Sequence, residues 1–285
     1  MSTQTQVAET PDQSVGFWQG IALLAATVLC GVFIILPIVV LGDVTGADKS
    51  GWGSPAVGIV AGMACTIAVA WMMLRHWTVP IASLFSAPGR VMSRLPWVAL
   101  GVAANLMIVV PVYLFIAARW PWFAAAMRSE DLQIKGPAWV VNFALVIGAP
   151  LCEELLFRGV ILRGMLRRYS VRNALLASAA VFAIAHVHPV KLPLMFIAGI
   201  GLGWLYVRTR SLWLPMAAHA MNNGSGALAH SPGFPEEPHL TVWLTLALIV
   251  AGGGFMLLAY RCLATLKGDC ERSSGVAPNS AIVSP

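Results

Sequence analysis

Eight apolar stretches organise the chain, near residues 17–42, 54–74, 97–118, 138–157, 173–188, 192–207, 212–229 and 240–266. Each approaches the roughly 20 residues that an α-helix needs to cross about 30 Å of hydrocarbon, those at 173–188 and 192–207 being the shortest. Polar and basic residues collect between them. The pattern predicts an all-α polytopic membrane protein, a bundle of about eight transmembrane helices. Trp120 to Met127, with Trp122 and Phe123 between basic ends, reads as an interfacial helix on the outer surface. Gly199, Gly201 and Gly203 fall mid-span with no strand before them, so they read as a small-residue packing stripe and not as a phosphate loop.

Composition agrees with that pattern. Of 285 residues, 58% are hydrophobic and 11% charged, where a soluble domain carries roughly 25% charged residues. A water-soluble globule is excluded. The net charge of +6 comes from short basic clusters between spans; it reads as a topology signal and points to no nucleic-acid partner. With the amino terminus inside, 13 of the 18 Lys and Arg residues lie in inner segments. The positive-inside rule then places both termini in the cytoplasm, with Pro232 to Pro238 outside, in the plasma membrane if the source is bacterial.

Residues 1–14 carry no basic residue, and the apolar run after them exceeds a signal-peptide core, so no cleaved signal is expected. The expected organisation is a disordered cytoplasmic segment 1–16, a transmembrane domain 17–266 with its functional core at about 138–229, and a disordered tail 267–285 rich in Ser and Pro. Cys30, Cys65, Cys152, Cys262 and Cys270 have neither metal-ligand spacing nor a disulfide pattern. Cys152 reads as a small packing residue and not as a nucleophile.

The informative residues are polar ones at membrane depth, where ionisable side chains pair with each other or line a functional cavity. Glu154 and Arg158 are four apart on one helical face and can form an ion pair. Glu153 points about 100° away and cannot share that arginine within its own helix. Phe182 and His186, and His219 and Asn223, have the same four-residue spacing. Asn222 is an alternative to Asn223, and His188, beside Pro189, reads as a boundary residue. If the fourth helix continues to Arg167 and Arg168, then Glu153, His186 and Asn223 each lie roughly 20–22 Å from the basic end of their helices, in one layer.

The elements Glu153-Glu154-x-x-x-Arg158, Phe182-x-x-x-His186 and His219-x-x-x-Asn223 resemble the three signature motifs of the CPBP family. That family comprises CAAX prenyl endopeptidases and bacteriocin-processing or immunity proteins also called Abi. The resemblance covers roughly 138–229, and no motif position departs from it. It implies an eight-helix intramembrane endopeptidase acting on a peptide bond near the carboxyl terminus of a lipidated or membrane-associated protein or peptide. In that reading Glu153 and His186 activate a water, Glu154 belongs to both the catalytic motif and the ion pair with Arg158, and His219 and Asn223 bind the oxyanion.

Those residue types suit the chemistry on their own terms. Peptide hydrolysis needs a base for water, a proton for the leaving amine and donors for the tetrahedral oxyanion, which carboxylate, imidazole and amide groups supply. Two other classes use the same residues: a proton-coupled transporter, and a catalytically silent scaffold or immunity factor. The chain has neither the internal repeat nor the paired broken helices of secondary transporters. Membrane lipid and a peptide or lipidated protein are the expected partners.

No cofactor is expected. Glu153, His186 and His219 would be the ligands if zinc were bound, but they come singly from three helices, without His-Glu-x-x-His. The four-residue spacing pairs each histidine with Phe182 or Asn223 and not with a carboxylate that would orient it on a metal, and Glu154 would have to give up Arg158 to take that role.

Overall fold

The computed structural model describes residues 12–45, 55–85, 92–128, 138–229 and 241–264. The expected outer loop at Pro232 to Pro238 and the tail from residue 267 lie outside the described residues. Helix α1 is Phe17–Thr45, α2 is Pro55–His76, α3 is Leu95–Arg119 and α4 is the short Pro121–Arg128. Helix α5 runs unbroken from Ala138 to Met165. It is followed by α6 at Val171–Ala185, α7 at Leu192–Thr209, α8 at Trp213–Ala229 and α9 at Val242–Ala264. No strand occurs among the described residues.

Six of these helices, α1, α2, α3, α5, α7 and α9, contain stretches long and apolar enough to cross a membrane. The chain is therefore an all-α, multi-pass membrane protein. The other two expected spans are present as shorter helices, 15 residues in α6 and 17 in α8, about 22 and 26 Å long. The two shortest are thus α6 and α8, where the apolar runs had pointed to α6 and α7. Ser170 caps the start of α6 by accepting from the Asn173 amide. Its end is set by Val187, at φ 51°, followed by Pro189.

Helix α5 is longer than its apolar run at 138–157 suggested, because Val160, Ile161, Leu162 and Met165 bury their side chains and carry the helix on to Met165. It is also not regular. Two π-helical segments, Ala144–Gly148 and Leu155–Leu162, flank the regular turn Ala149–Glu154. In a regular helix the ring of Pro150 would press on the carbonyl four residues earlier, at residue 146. That carbonyl lies in the first π segment, where the Ala149 amide reaches back five residues to Ala144. The wider turn gives the proline room, and π turns of this kind recur at functional sites.

One end of the bundle is tied together by contacts between distant segments. The Val15 amide donates to Gly164 O at 3.1 Å, the Gln13 amide group to Trp77 O, the Leu212 amide to Leu84 O and Arg94 to Cys262 O. These contacts bring the start of α1 and the ends of α2, α5, α7 and α9 to the same face. They also correct the expected disordered segment 1–16: residues 12–16 are held in place, and Val15 is buried on Gly164. A Cβ on Gly164 would stand 2.3 Å from Val15 Cγ2, so only glycine admits this crossing.

The main core gathers around the second half of α5. Leu156, Phe157, Val160, Ile161, Leu162 and Met165 are buried against Leu74 of α2, Trp77 just after it, Phe182 of α6 and Tyr206 of α7. Of the expected glycine stripe, Gly199 and Gly203 pack closely on Ala179 and Leu175 of α6. Gly201 does not belong to it, since a Cβ there would meet nothing within 4 Å. The close approach of α7 to α6 fixes where the Gly199 carbonyl lies, which matters for the site.

Candidate active site

The regular turn of α5 between its two π segments carries Glu153 and Glu154. Glu154 and Arg158 are both fully buried, and Arg158 Nη1 donates to Glu154 Oε1 at 2.8 Å, as the four-residue spacing indicated. The arginine does more than neutralise one carboxylate. Its Nη2 donates to Gly199 O at 3.2 Å, and its guanidinium lies 4.5 Å from the ring centroid of Phe182. One planar cation thus joins α5, α6 and α7, a task that depends on the fork and flat face of arginine.

The same carboxylate oxygen takes a second charge-capable partner. His219 Nδ1, on α8, lies 2.8 Å from Glu154 Oε1. A carboxylate oxygen accepts, so Nδ1 carries a proton and donates. This corrects the expectation that neither histidine meets a carboxylate and that Glu154 must choose between Arg158 and an orienting role. It does both. The other ring nitrogen of His219, Nε2, faces Glu153 Oε2 at 3.9 Å, too far for a hydrogen bond. Glu153 is 29% exposed, and its Oε2 has no hydrogen-bond partner among the described residues.

His186 sits at the carboxyl end of α6. Its Nδ1 lies 2.9 Å from Phe182 O, and a carbonyl can only accept, so Nδ1 donates and the neutral ring offers Nε2 as an acceptor. The side chain thereby caps a carbonyl in the last turn of its own helix. Phe182 is the hub of the cluster. Its ring centroid is 4.7 Å from that of His186, 5.9 Å from that of His219 and 5.1 Å from that of Phe157. The spacing of Phe182 and His186 had marked a shared face; that this one ring would carry both imidazoles and Arg158 was not legible.

Asn223 is less enclosed. Its Nδ2 donates to Leu145 O at 3.0 Å, inside the first π segment of α5. One of its two N–H groups is used there and the other remains available. For Asn222 the recorded bond is at the backbone, where its carbonyl accepts from Ser225. His188 has a separate position. Its Nδ1 accepts from the Lys191 amide and its Nε2 donates to Ala126 O, clamping α4 to the turn between α6 and α7.

Among the described residues no three His, Cys, Asp or Glu side chains are grouped as a metal site would require. One feature does favour a ligand role for His219: the carboxylate of Glu154 behind it, an arrangement found behind metal-bound histidines. His186 has a backbone carbonyl in that position.

Comparison with known proteins places this cluster in context. Residues 135–225 match the family model described as Type II CAAX prenyl endopeptidase Rce1-like. That stretch, about a third of the chain, is similar to the Rce1-like family. That match bears out the resemblance to the CPBP family carried by the three motifs, all of which fall inside it. "Putative membrane peptidase YdiL" of Bacillus subtilis (strain 168) is 29% identical over 139 residues, 47% of this chain and 56% of the relative. "Membrane-embedded CAAX protease MroQ" of Staphylococcus aureus (strain USA300) is 30% identical over 140 residues, 46% of this chain and 56% of that relative. The chain therefore spans a little over half the length of these curated relatives. No solved structure is significantly similar to it.

Proposed function

We propose that the chain is an intramembrane endopeptidase that cleaves a peptide bond near the carboxyl terminus of a lipidated or membrane-associated protein or peptide. The observation that carries this reading is the placement of Glu153. Its Oε2 makes no hydrogen bond and faces His219 Nε2 across 3.9 Å, one residue before Glu154, whose Oε1 is held by Arg158. A carboxylate oxygen at membrane depth without a hydrogen bond is costly unless it works.

In the proposed reaction a water lies between Glu153 and the accepting Nε2 of His186. Glu153 takes a proton as the water oxygen attacks the scissile carbonyl carbon. The tetrahedral oxyanion is met by the free N–H of Asn223 and by Nε2–H of a cationic His219, whose Nδ1–H is anchored on Glu154. The C–N bond then breaks and Glu153 passes its proton to the departing amine. Glu154 acts as a positioning residue, the counter-ion that fixes His219 as an aspartate fixes the histidine of a serine-protease triad.

No step uses a metal or other cofactor. The residues that zinc would take come from three helices, and each has a role of its own in the acid–base scheme: Glu153 as base, His186 as acceptor and His219 as donor. The arginine-rich end of the bundle faces the cytoplasm in this reading, with both termini on that side.

The test is a mass-spectrometric survey of membrane peptides and lipoproteins in cells with the chain, without it, and with Glu153→Gln. A species whose mass changes on deletion and changes identically in the variant identifies a substrate. Full complementation by Glu153→Gln would assign a silent scaffold or immunity role instead.

A further inference from the structure

A concavity opens at the arginine-rich end, about ten residues along α5 from Glu153 and hence roughly 15 Å away. It encloses about 410 Å³ and is lined by Ser83, Arg163, Leu166, Arg167, Tyr206 and Arg210. Four separate segments build it: the turn after α2, the end of α5, the turn that follows, and the end of α7. Three of its six lining side chains are guanidiniums, and none is acidic. The buried Tyr206 phenol lies within the field of all three arginines.

The backbone holds this arrangement. Arg210 has left-handed geometry, φ 52°, and its amide closes the end of α7 on Tyr206 O at 2.7 Å. Glycine usually fills such a position. The Ser83 hydroxyl donates to Pro80 O at 2.7 Å, so the donors facing the cavity are the guanidiniums and the phenol. Among the described residues the acidic side chain acting at this end is Asp12, on Arg168 first and Arg167 second. Its oxygens already accept from the amide and hydroxyl of Ser14, which with those cations hold the carboxyl below its usual range.

We propose that this cavity, where Arg163, Arg167 and Arg210 converge on Tyr206, binds a phosphate-bearing anion. Three like charges around one concavity repel each other until an anion is shared between them. Phosphate oxygens match the guanidinium fork, and the cavity has room for a phosphate with a small substituent. The phosphate can come from an anionic lipid headgroup in the adjoining leaflet, whose chains would run past Leu166, or from a soluble phosphate compound.

The full chain in a neutral detergent is titrated at constant ionic strength with dihexanoylphosphatidylglycerol, dihexanoylphosphatidylcholine and inorganic phosphate, with binding read by native mass spectrometry. The triple variant Arg163→Gln/Arg167→Gln/Arg210→Gln should bind about a hundredfold more weakly, near fivefold for each arginine. The charge-matched Arg75→Gln/Arg168→Gln/Arg172→Gln should bind as the wild type does. Should the triple variant not fold, the single changes at the exposed Arg167 and Arg210 should each cost about fivefold. Binding of the glycerol lipid alone assigns a lipid headgroup, and competition by inorganic phosphate assigns a soluble source. Equal loss in the charge-matched variant, unchanged affinity in the cavity variants, or no binding by any probe would overturn the proposal.

Discussion

Glu154 and His219, 65 residues apart in sequence, share a 2.8 Å hydrogen bond through the oxygen that also receives Arg158. A carboxylate that looks purely structural along its own helix is therefore the support of an imidazole on another. Glu154→Gln should leave Arg158 buried without a counter-ion and release His219, costing about 3–5 kcal/mol of stability. It should also lose activity at temperatures where the fold survives. Thermal unfolding checks the first part, and the ¹⁵N shift of His219 Nδ1 checks the second. An unchanged ring resonance would contradict the positioning role.

Arg158→Lys should be a poor substitute despite keeping the charge. One ammonium cannot reach Glu154 and the Gly199 carbonyl while lying flat on Phe182. The expected loss is about 1.5–3 kcal/mol, the worth of one hydrogen bond to a charged group. Denaturation of both proteins in the same detergent gives the comparison; equal stability would show that only the charge matters.

Asn223→Ala separates binding of the oxyanion from packing. Loss of its Leu145 bond should cost about 1 kcal/mol of stability, while loss of an oxyanion donor should lower kcat by about 10²–10³ with little change in KM. A drop confined to KM would move Asn223 from the oxyanion to substrate binding.

Much of this was legible before the structure. Long apolar runs mark their own helices because every backbone group must be satisfied inside the segment, and the Glu154–Arg158 pair follows from a spacing of four. The Glu154–His219 bond did not follow, since it depends on how α5 and α8 rotate against each other. The π turns around Glu153 leave no periodic signature, and only Pro150 hints at one of them. The anchoring of residues 12–16 was hidden in a polar segment whose single buried side chain, Val15, finds its socket at Gly164.

That socket gives a test of the fold alone. Gly164→Ala should force Val15 off α5 and destabilise the protein by about 1–3 kcal/mol, the usual cost of overpacking. Val15→Ala in the same chain should recover part of the loss. Additive losses in the double variant would mean the two residues do not share the strain.

In the proposed reaction Glu153 carries the proton of an attacking water without a metal. Purified wild type and Glu153→Gln, dialysed against a strong chelator, should be assayed by mass spectrometry on a peptide that the wild type cleaves, with unfolding midpoints measured alongside. The expected result is equal midpoints, full activity of the chelated wild type, and loss of at least about 10² in turnover in the variant. Turnover by Glu153→Gln close to that of the wild type, or wild-type activity that vanishes on chelation and returns with stoichiometric zinc, would contradict it.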